Sequence, residues 1–492
     1  MAILAPPPPA QAPNAGVIAD ARRRRRRRRG RLAASAAALV VAGLVAHIAA
    51  VSSDNPAGTG ARAIAADARC PDRALGVVAF IGGIDSDSLE TVDLRDCRTR
   101  VLVHRGASGT PAFSPDGREI AFDGGWVATS GGAVHRTAGQ PAFSPDGRYV
   151  AYGDRLAPVS GGRVVQLHGT FEAWLPHGDA LVLQTDPATA HAGPLELRVA
   201  SGATRALTRP GWQTSLDAVS PDGRTVVVEH YRSEGGRHPP EGGQLWSVNL
   251  ASMERRLIYA QPAHQIAPFF AGTFSPGGDW LLFSEDPSGS ADIPADGVPW
   301  FAVRVTGAAT HAIATIRGSN DAWCGGQLVY VIDHGGRFVT NGDGIAVTGP
   351  PAWGSRTILP AASRTSFSEF ACQPSANGPV LALAGGPSSE DSPFGHENRS
   401  LWLASVHPGA AGARRIAAAV PPRGGTDELP MWSADGRWLL FIRTRPQGIS
   451  GEGALYALDL SRHRLVGPIA QVGFTGNFYG TYGWASQLSW YR

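Results

Sequence analysis

The chain contains no lysine; all 44 of its Lys+Arg positions are arginine. With alanine, glycine and proline abundant, that absence follows from a GC-rich coding bias and carries no functional weight. Other absences exclude more. No G-x-S-x-G string occurs, the nearest being the GISGE that starts at Gly448, so the serine elbow of an α/β-hydrolase is missing. There is no H-E-x-x-H and no C-x-x-C, which removes the common zinc spacings. The run Asp85 to Ser88 with Glu90 lacks the glycine and the later glutamate of a calcium loop and reads as a solvated turn. No metal, cofactor or catalytic set is therefore expected. Charged residues make up only 17% of the chain, and its net +3 is misleading. Residues 1–31 hold nine arginines and one acid, Asp20, so the remainder is net acidic by five. That excludes a basic nucleic-acid surface on the body of the protein.

Only one apolar run is long. Leu32 to Val51 is twenty residues without a formal charge, His47 counted neutral. As a helix it spans about 30 Å, the thickness of a bilayer's hydrocarbon core. The arginine block Arg22–Arg29 with Arg31 stands directly before it and holds the N-terminus in the cytoplasm. Four segments follow: a Pro/Arg-rich cytoplasmic piece (1–31), a transmembrane signal anchor (32–51), a linker rich in Ala, Gly and Asp (52–69), and a folded body (70–492) outside the cytoplasm, periplasmic or extracellular. The alternative is secretion after cleavage near Ala50 or Ser53, against which Ile48 stands in a key position.

What the body has in abundance is one hairpin, written repeatedly. PAFSPDGREIAF (Pro111 to Phe122) returns as PAFSPDGRYVAY (Pro141 to Tyr152), and related strings surround Ser220, Ser275 and Ser433. Weaker copies start at Glu172, Asp321 and Glu369, making eight starts. Ser-Pro-Asp-Gly specifies a turn: proline sets φ, serine and aspartate bond the local backbone, and glycine accepts positive φ. A short apolar strand before it and an alternating strand after it make a β-hairpin. Third and fourth strands follow, such as Leu245 to Leu250 and the piece from Arg255. Four antiparallel strands per 30 to 55 residues is the unit of a β-propeller. Gly76 to Gly83 and the next two strands form a unit without a first strand, and Trp484 to Arg492 is a first strand without a unit. Joining them closes a ring and removes two sheet edges. This counts nine units; because smaller rings are commoner, eight blades are expected, with nine the alternative.

The FSPDGR hairpins resemble the WD40-like (PD40) repeats of TolB-type propellers and the propeller halves of prolyl-oligopeptidase-type peptidases. The resemblance covers about Ala74 to Arg492 and implies an all-β propeller. It implies no chemistry, because the shared motif is a turn. The repeats run to the last residue and no hydrolase-sized helical stretch follows them, so a peptidase reading is not supported.

The four cysteines fall into two local pairs, and an oxidising exterior favours bridges. Cys70 precedes the first unit and Cys97 lies in its strand-three turn. Cys324 and Cys372 hold similar places in consecutive units. Disulfides Cys70–Cys97 and Cys324–Cys372 are expected.

Units five, six, eight and nine carry long insertions between strands two and three: Arg232 to Gln244, Glu285 to Pro299, Gly385 to Ser400 and Arg443 to Ala454. Equivalent loops emerge on one face of a propeller, where repeat proteins often bind. His238, Glu285, Asp286, Asp292, Asp296, Trp300, Phe394 and His396 lie in or beside them. The expected function is a membrane-tethered, non-enzymatic scaffold that holds an extracytoplasmic protein or envelope component. The alternative is a propeller-fold hydrolase or lyase acting on a sugar or lactone at the same face.

Overall fold

The repeated turn is built around a buried serine. In four copies the serine Oγ donates to the aspartate two residues on: Ser114 to Asp116 at 2.7 Å, Ser144 to Asp146 at 2.6 Å, Ser220 to Asp222 at 2.6 Å and Ser433 to Asp435 at 2.5 Å. The same Oγ accepts the N–H of the residue five positions later, as in Thr225 to Ser220 at 2.9 Å. The glycine that closes each copy has φ between 67° and 77°, a region that costs other residues dearly. In the copy at Ser275 glycine replaces the aspartate, and only the backbone bond from Trp280 remains, at 3.2 Å. Ser220→Ala will therefore forfeit both the bond to Asp222 and the acceptor of the half-buried Thr225 N–H, lowering stability by about 1–3 kcal/mol. Ser275→Ala will cost less, because it forfeits the weaker bond alone. Denaturant midpoints of the two variants check both values.

A computed structural model of the chain describes residues 70–492 except for internal stretches, the longest of which are 233–240, 287–296, 333–342 and 388–397. The anchor Leu32 to Val51, the arginine block and the linker lie outside the described residues. Among the described residues no helix is long and apolar enough to cross a membrane. These residues form eight antiparallel sheets: six of four strands, one of five and one of seven. The seven-stranded sheet covers units six and seven, which share the strand Thr310–Cys324. Its first half pairs with Val298–Arg304 and its end with Gln327–Ile332. The whole is a β-propeller-like all-β fold.

Each second strand is apolar without alternation because both of its faces are buried. Val78 and Phe80 point one way, into a cluster with Trp438, Leu440 and Trp484 of the chain's last part. Ala79 and Ile81 point the other way, against Ile120 and Phe122 of unit two. The pattern repeats along the chain. Among the described residues nine hydrophobic clusters each join one unit to the next: units two to three, three to four and four to five, five to six, six to seven and seven to eight, and eight to nine. The remaining two are those already described, from nine to one and from one to two. Within the first sheet, Leu488–Tyr491 pairs antiparallel with Val77–Gly82, Tyr491 opposite Val77 and Leu488 opposite Phe80.

Both expected disulfides are present. Cys70–Cys97 has a Cα separation of 5.7 Å and Cys324–Cys372 one of 5.9 Å, both inside the bridging range. The second joins the first strands of units seven and eight.

Candidate binding face

Antiparallel pairing fixes what shares an end of each sheet. In unit six Phe269, the start of strand one, lies opposite Glu285, the end of strand two, and Ser284 lies opposite Trp300 at the start of strand three. The strand-two-to-three insertions therefore leave from the end at which first strands begin. The Ser-Pro-Asp-Gly hairpins occupy the other end.

The insertion end is where neighbouring units are stitched together. Ala107 N–H donates to the Asp87 carbonyl at 2.8 Å, Phe171 to Gly153 at 2.7 Å, Phe367 to Asp343 at 3.1 Å and Asp427 to Arg399 at 3.2 Å. A bridge between Gly193 and Thr214 does the same for units four and five. In each case the connection between strands two and three, at or near the residue before strand three, meets the entry to the next unit's first strand. Trp484 repeats the pattern with its side chain, its indole N–H donating to Thr444 Oγ1 at 3.0 Å.

First strands in five units carry an acid at or beside a β-bulge. Glu172 and Asp217 are the extra residues where register shifts between Phe171 and Ala173 and between Leu216 and Ala218. Asp321 and Glu369 are the first residues paired after a shift, and Glu428 the last paired before one. Bulges re-aim side chains and concentrate near functional sites. Burial pushes Asp217 up to about 7 and Asp321 up to about 6. Burial also raises Glu369 and Glu428, the latter well above the carboxylate range. In Asp217, Asp321, Glu369 and Glu428 burial thus favours the neutral form, and a nearby cation would oppose it.

Charge in unit nine is partly balanced. Arg443 grips Asp427 bidentately, Nε to Oδ1 at 2.7 Å and Nη2 to Oδ2 at 3.0 Å. The guanidinium also donates to the Ala419 carbonyl at 2.9 Å and lies 4.8 Å from the Tyr456 ring centre. Burial outweighs this partner, so Asp427 is pushed up to about 6. Between units five and six, Gln261 Nε2 donates to Glu285 Oε1 at 3.2 Å, and burial together with the Glu285 carboxylate raises the Tyr259 hydroxyl.

Comparison with known proteins adds the architecture. No family model and no curated protein sequence matches this chain. Among solved structures, a eukaryotic initiation factor superposes with TM-score 0.50 at 14% identity, covering 85% of this chain and 98% of that one. Porphyromonas gingivalis dipeptidyl peptidase 4 gives 0.46 at 10% identity, over 82% of this chain and 60% of that one. An oligogalacturonate lyase in complex with manganese gives 0.36 at 16%, over 76% and 94%. The likeness is one of fold. The chain spans less than two thirds of the peptidase.

The residues singled out from sequence fall in three places. Glu285 closes the strand Trp280–Glu285 and is buried, as is Asp286 beside it. Trp300 lies within Val298–Arg304 and belongs to the core between units six and seven. His238, Asp292, Asp296, Phe394 and His396 lie outside the described residues. The bulge acids were not singled out. Their signal was present: Glu172, Asp217 and Asp321 occupy the position that Pro111 and Pro141 hold in the first two hairpins.

Proposed function

We propose that the body is a ring of nine blades closed by its C-terminal strand, tethered by Leu32 to Val51 outside the cytoplasm. We infer that it acts as a binding scaffold for an extracytoplasmic protein or envelope component. The observation that carries the reading is the common exit of the connections between strands two and three: units five, six and eight send long segments from one end of their sheets, and in unit nine the expected insertion Arg443 to Ala454 is instead an extended hairpin, Gln447 opposite Ser450, at the same end, which is the end at which the units are stitched. A rigid rim with variable loops presents a broad surface at low cost in stability. Acids in these loops and in the first strands favour a partner with positive charge on its contact surface.

A second reading rests on Glu428, a buried acid beside Glu369. A hydrolase or lyase acting on a sugar or lactone could use such a group as a general acid. Photocrosslinking amino acids placed at Gly236, Ser290 and Ser392 in the insertions, and at Arg224 and Asp435 in the hairpin end, separate the possibilities in intact cells. The scaffold reading expects one macromolecular product from the insertion positions and none from the hairpin end. Crosslinks from the hairpin end alone, or none from either end, would overturn it.

A further inference from the structure

The seam between units eight and nine holds a carboxyl pair, Glu369 and Glu428, that the scaffold reading does not use. Glu369 Oε2 accepts the Leu429 N–H at 2.7 Å. Leu429 needs that bond, because its φ of 49° places a branched side chain in the left-handed region. It belongs to the bulge between Glu428 and Met431. Glu428, the preceding residue, is 1% exposed. Neither of its oxygens has a hydrogen bond of good geometry among the described residues. The Trp484 indole, which donates to Thr444 Oγ1, also favours charge on Glu428, against the larger effect of burial.

Among the described residues, the charged groups acting on the pair come from units eight and nine. From unit eight come Glu369 itself and Arg399, whose guanidinium donates to Ser368 Oγ and acts on both glutamates. Arg415 acts from the outer strand of the same unit on Asp427 and donates to Ser400 Oγ at 2.7 Å. From unit nine come Asp427 and its partner Arg443. The Glu369 and Asp427 carboxylates face Arg399 and Arg443, with Arg415 at the margin. A charge on Glu428 would stand in an enclosed site beside two other carboxylates, with the Trp484 indole, shared with Thr444, as its donor.

We propose that this seam is a proton-set latch, in which a proton resident on Glu428 lets the Glu369 carboxylate alone hold the Leu429 turn. Loss of that proton places two carboxylates against each other across the seam and loosens the first strand of unit nine from unit eight. The pair titrates as a unit. The backbone bond from Leu429 favours charge on Glu369, which leaves the proton on Glu428. In the unfolded chain the proton leaves in the ordinary glutamate range, whereas the folded seam keeps it to higher pH. The latch is therefore tightest in acid and weakens as pH rises through the raised folded value. An extracytoplasmic protein meets such changes directly.

The test is amide hydrogen exchange on the full chain, corrected for intrinsic rates, across Thr426–Trp432. In the wild type, protection of the Leu429 amide should fall at least about tenfold between pH about 5 and about 9. Glu428→Gln should hold protection level within about twofold over that range. Should that variant fold poorly, Glu369→Gln gives a second reading: protection lower at every pH, and again level, because no like charge remains. Infrared difference spectra of wild type minus Glu428→Gln at neutral pH should contain a protonated carboxyl band. A wild-type pH dependence that persists in either variant, or no such band, overturns the proposal.

Discussion

Removing Trp484 to Arg492 should abolish the fold, not trim it. These nine residues supply the strand Leu488–Tyr491 that lies against Val77–Gly82. They also tie three units together. Gln487 accepts the Ile81 N–H at 2.8 Å, and the Trp490 indole donates to the Leu75 carbonyl at 2.5 Å. The Tyr491 ring centre sits 5.4 Å from that of Phe113 in unit two. Trp484, 1% exposed, fills the core between units nine and one so closely that a Cβ added at Gly453 would come within 2.4 Å of its ring. Trp484→Ala alone should cost about 3–5 kcal/mol. The truncation loses that packing and also bares two sheet edges, which invite aggregation. Size-exclusion chromatography should find the truncated chain in aggregates or degraded. A soluble, monomeric truncated protein with the circular dichroism of the full chain would contradict the closure.

Arg443→Ala should be the most damaging single charge removal. It strands the Asp427 carboxylate, which is fully buried, and takes away the donor to the Ala419 carbonyl. Breaking a buried pair from one side costs about 3–5 kcal/mol. The loss has a defined pH dependence. Asp427 already sits at about 6 with its arginine in place, and without it the folded value rises further. The unfolded chain is common to both proteins, so the variant's deficit opens as pH rises through about 6, where the wild-type Asp427 ionises, and shrinks in acid, where both folded forms keep the proton. Melting temperatures of wild type and variant should therefore converge at about pH 4 and diverge by pH 8 or so. A deficit equal at both would show that the cost is lost packing of the arginine stem, with the ion pair contributing nothing.

The parts of the fold legible in the sequence are those written by local chemistry. Ser-Pro-Asp-Gly sets its own turn, so the hairpins could be found without knowledge of their neighbours. The continuous apolar second strands, such as Val226–Val228, state that both faces are covered, and the cysteines stand close in chain order. Long-range consequences were less legible. The buried serine of each turn reads as a loop residue, although its hydroxyl closes the hairpin. Glu285 and Trp300 read as loop residues because the insertion Glu285 to Pro299 has no internal pattern, yet strand pairing draws both ends of it into the sheet. The shared strand Thr310–Cys324 blurs the border of units six and seven, because its middle has no apolar alternation. Glu369 and Glu428 are ordinary acids until two neighbouring first strands bring them to one seam.

Closure of the ring is the point on which the rest depends, and the chain's last residues test it most directly. A free C-terminal tail exchanges its amide hydrogens almost at the intrinsic rate, whereas a paired strand is protected. Mass-spectrometric exchange on the intact protein should find the strand Leu488–Tyr491 protected to the same degree as Val226–Val228 in the middle of unit five. Fast exchange at Leu488–Tyr491, with unit five still protected, would show that the first sheet lacks this strand and that the ring is open.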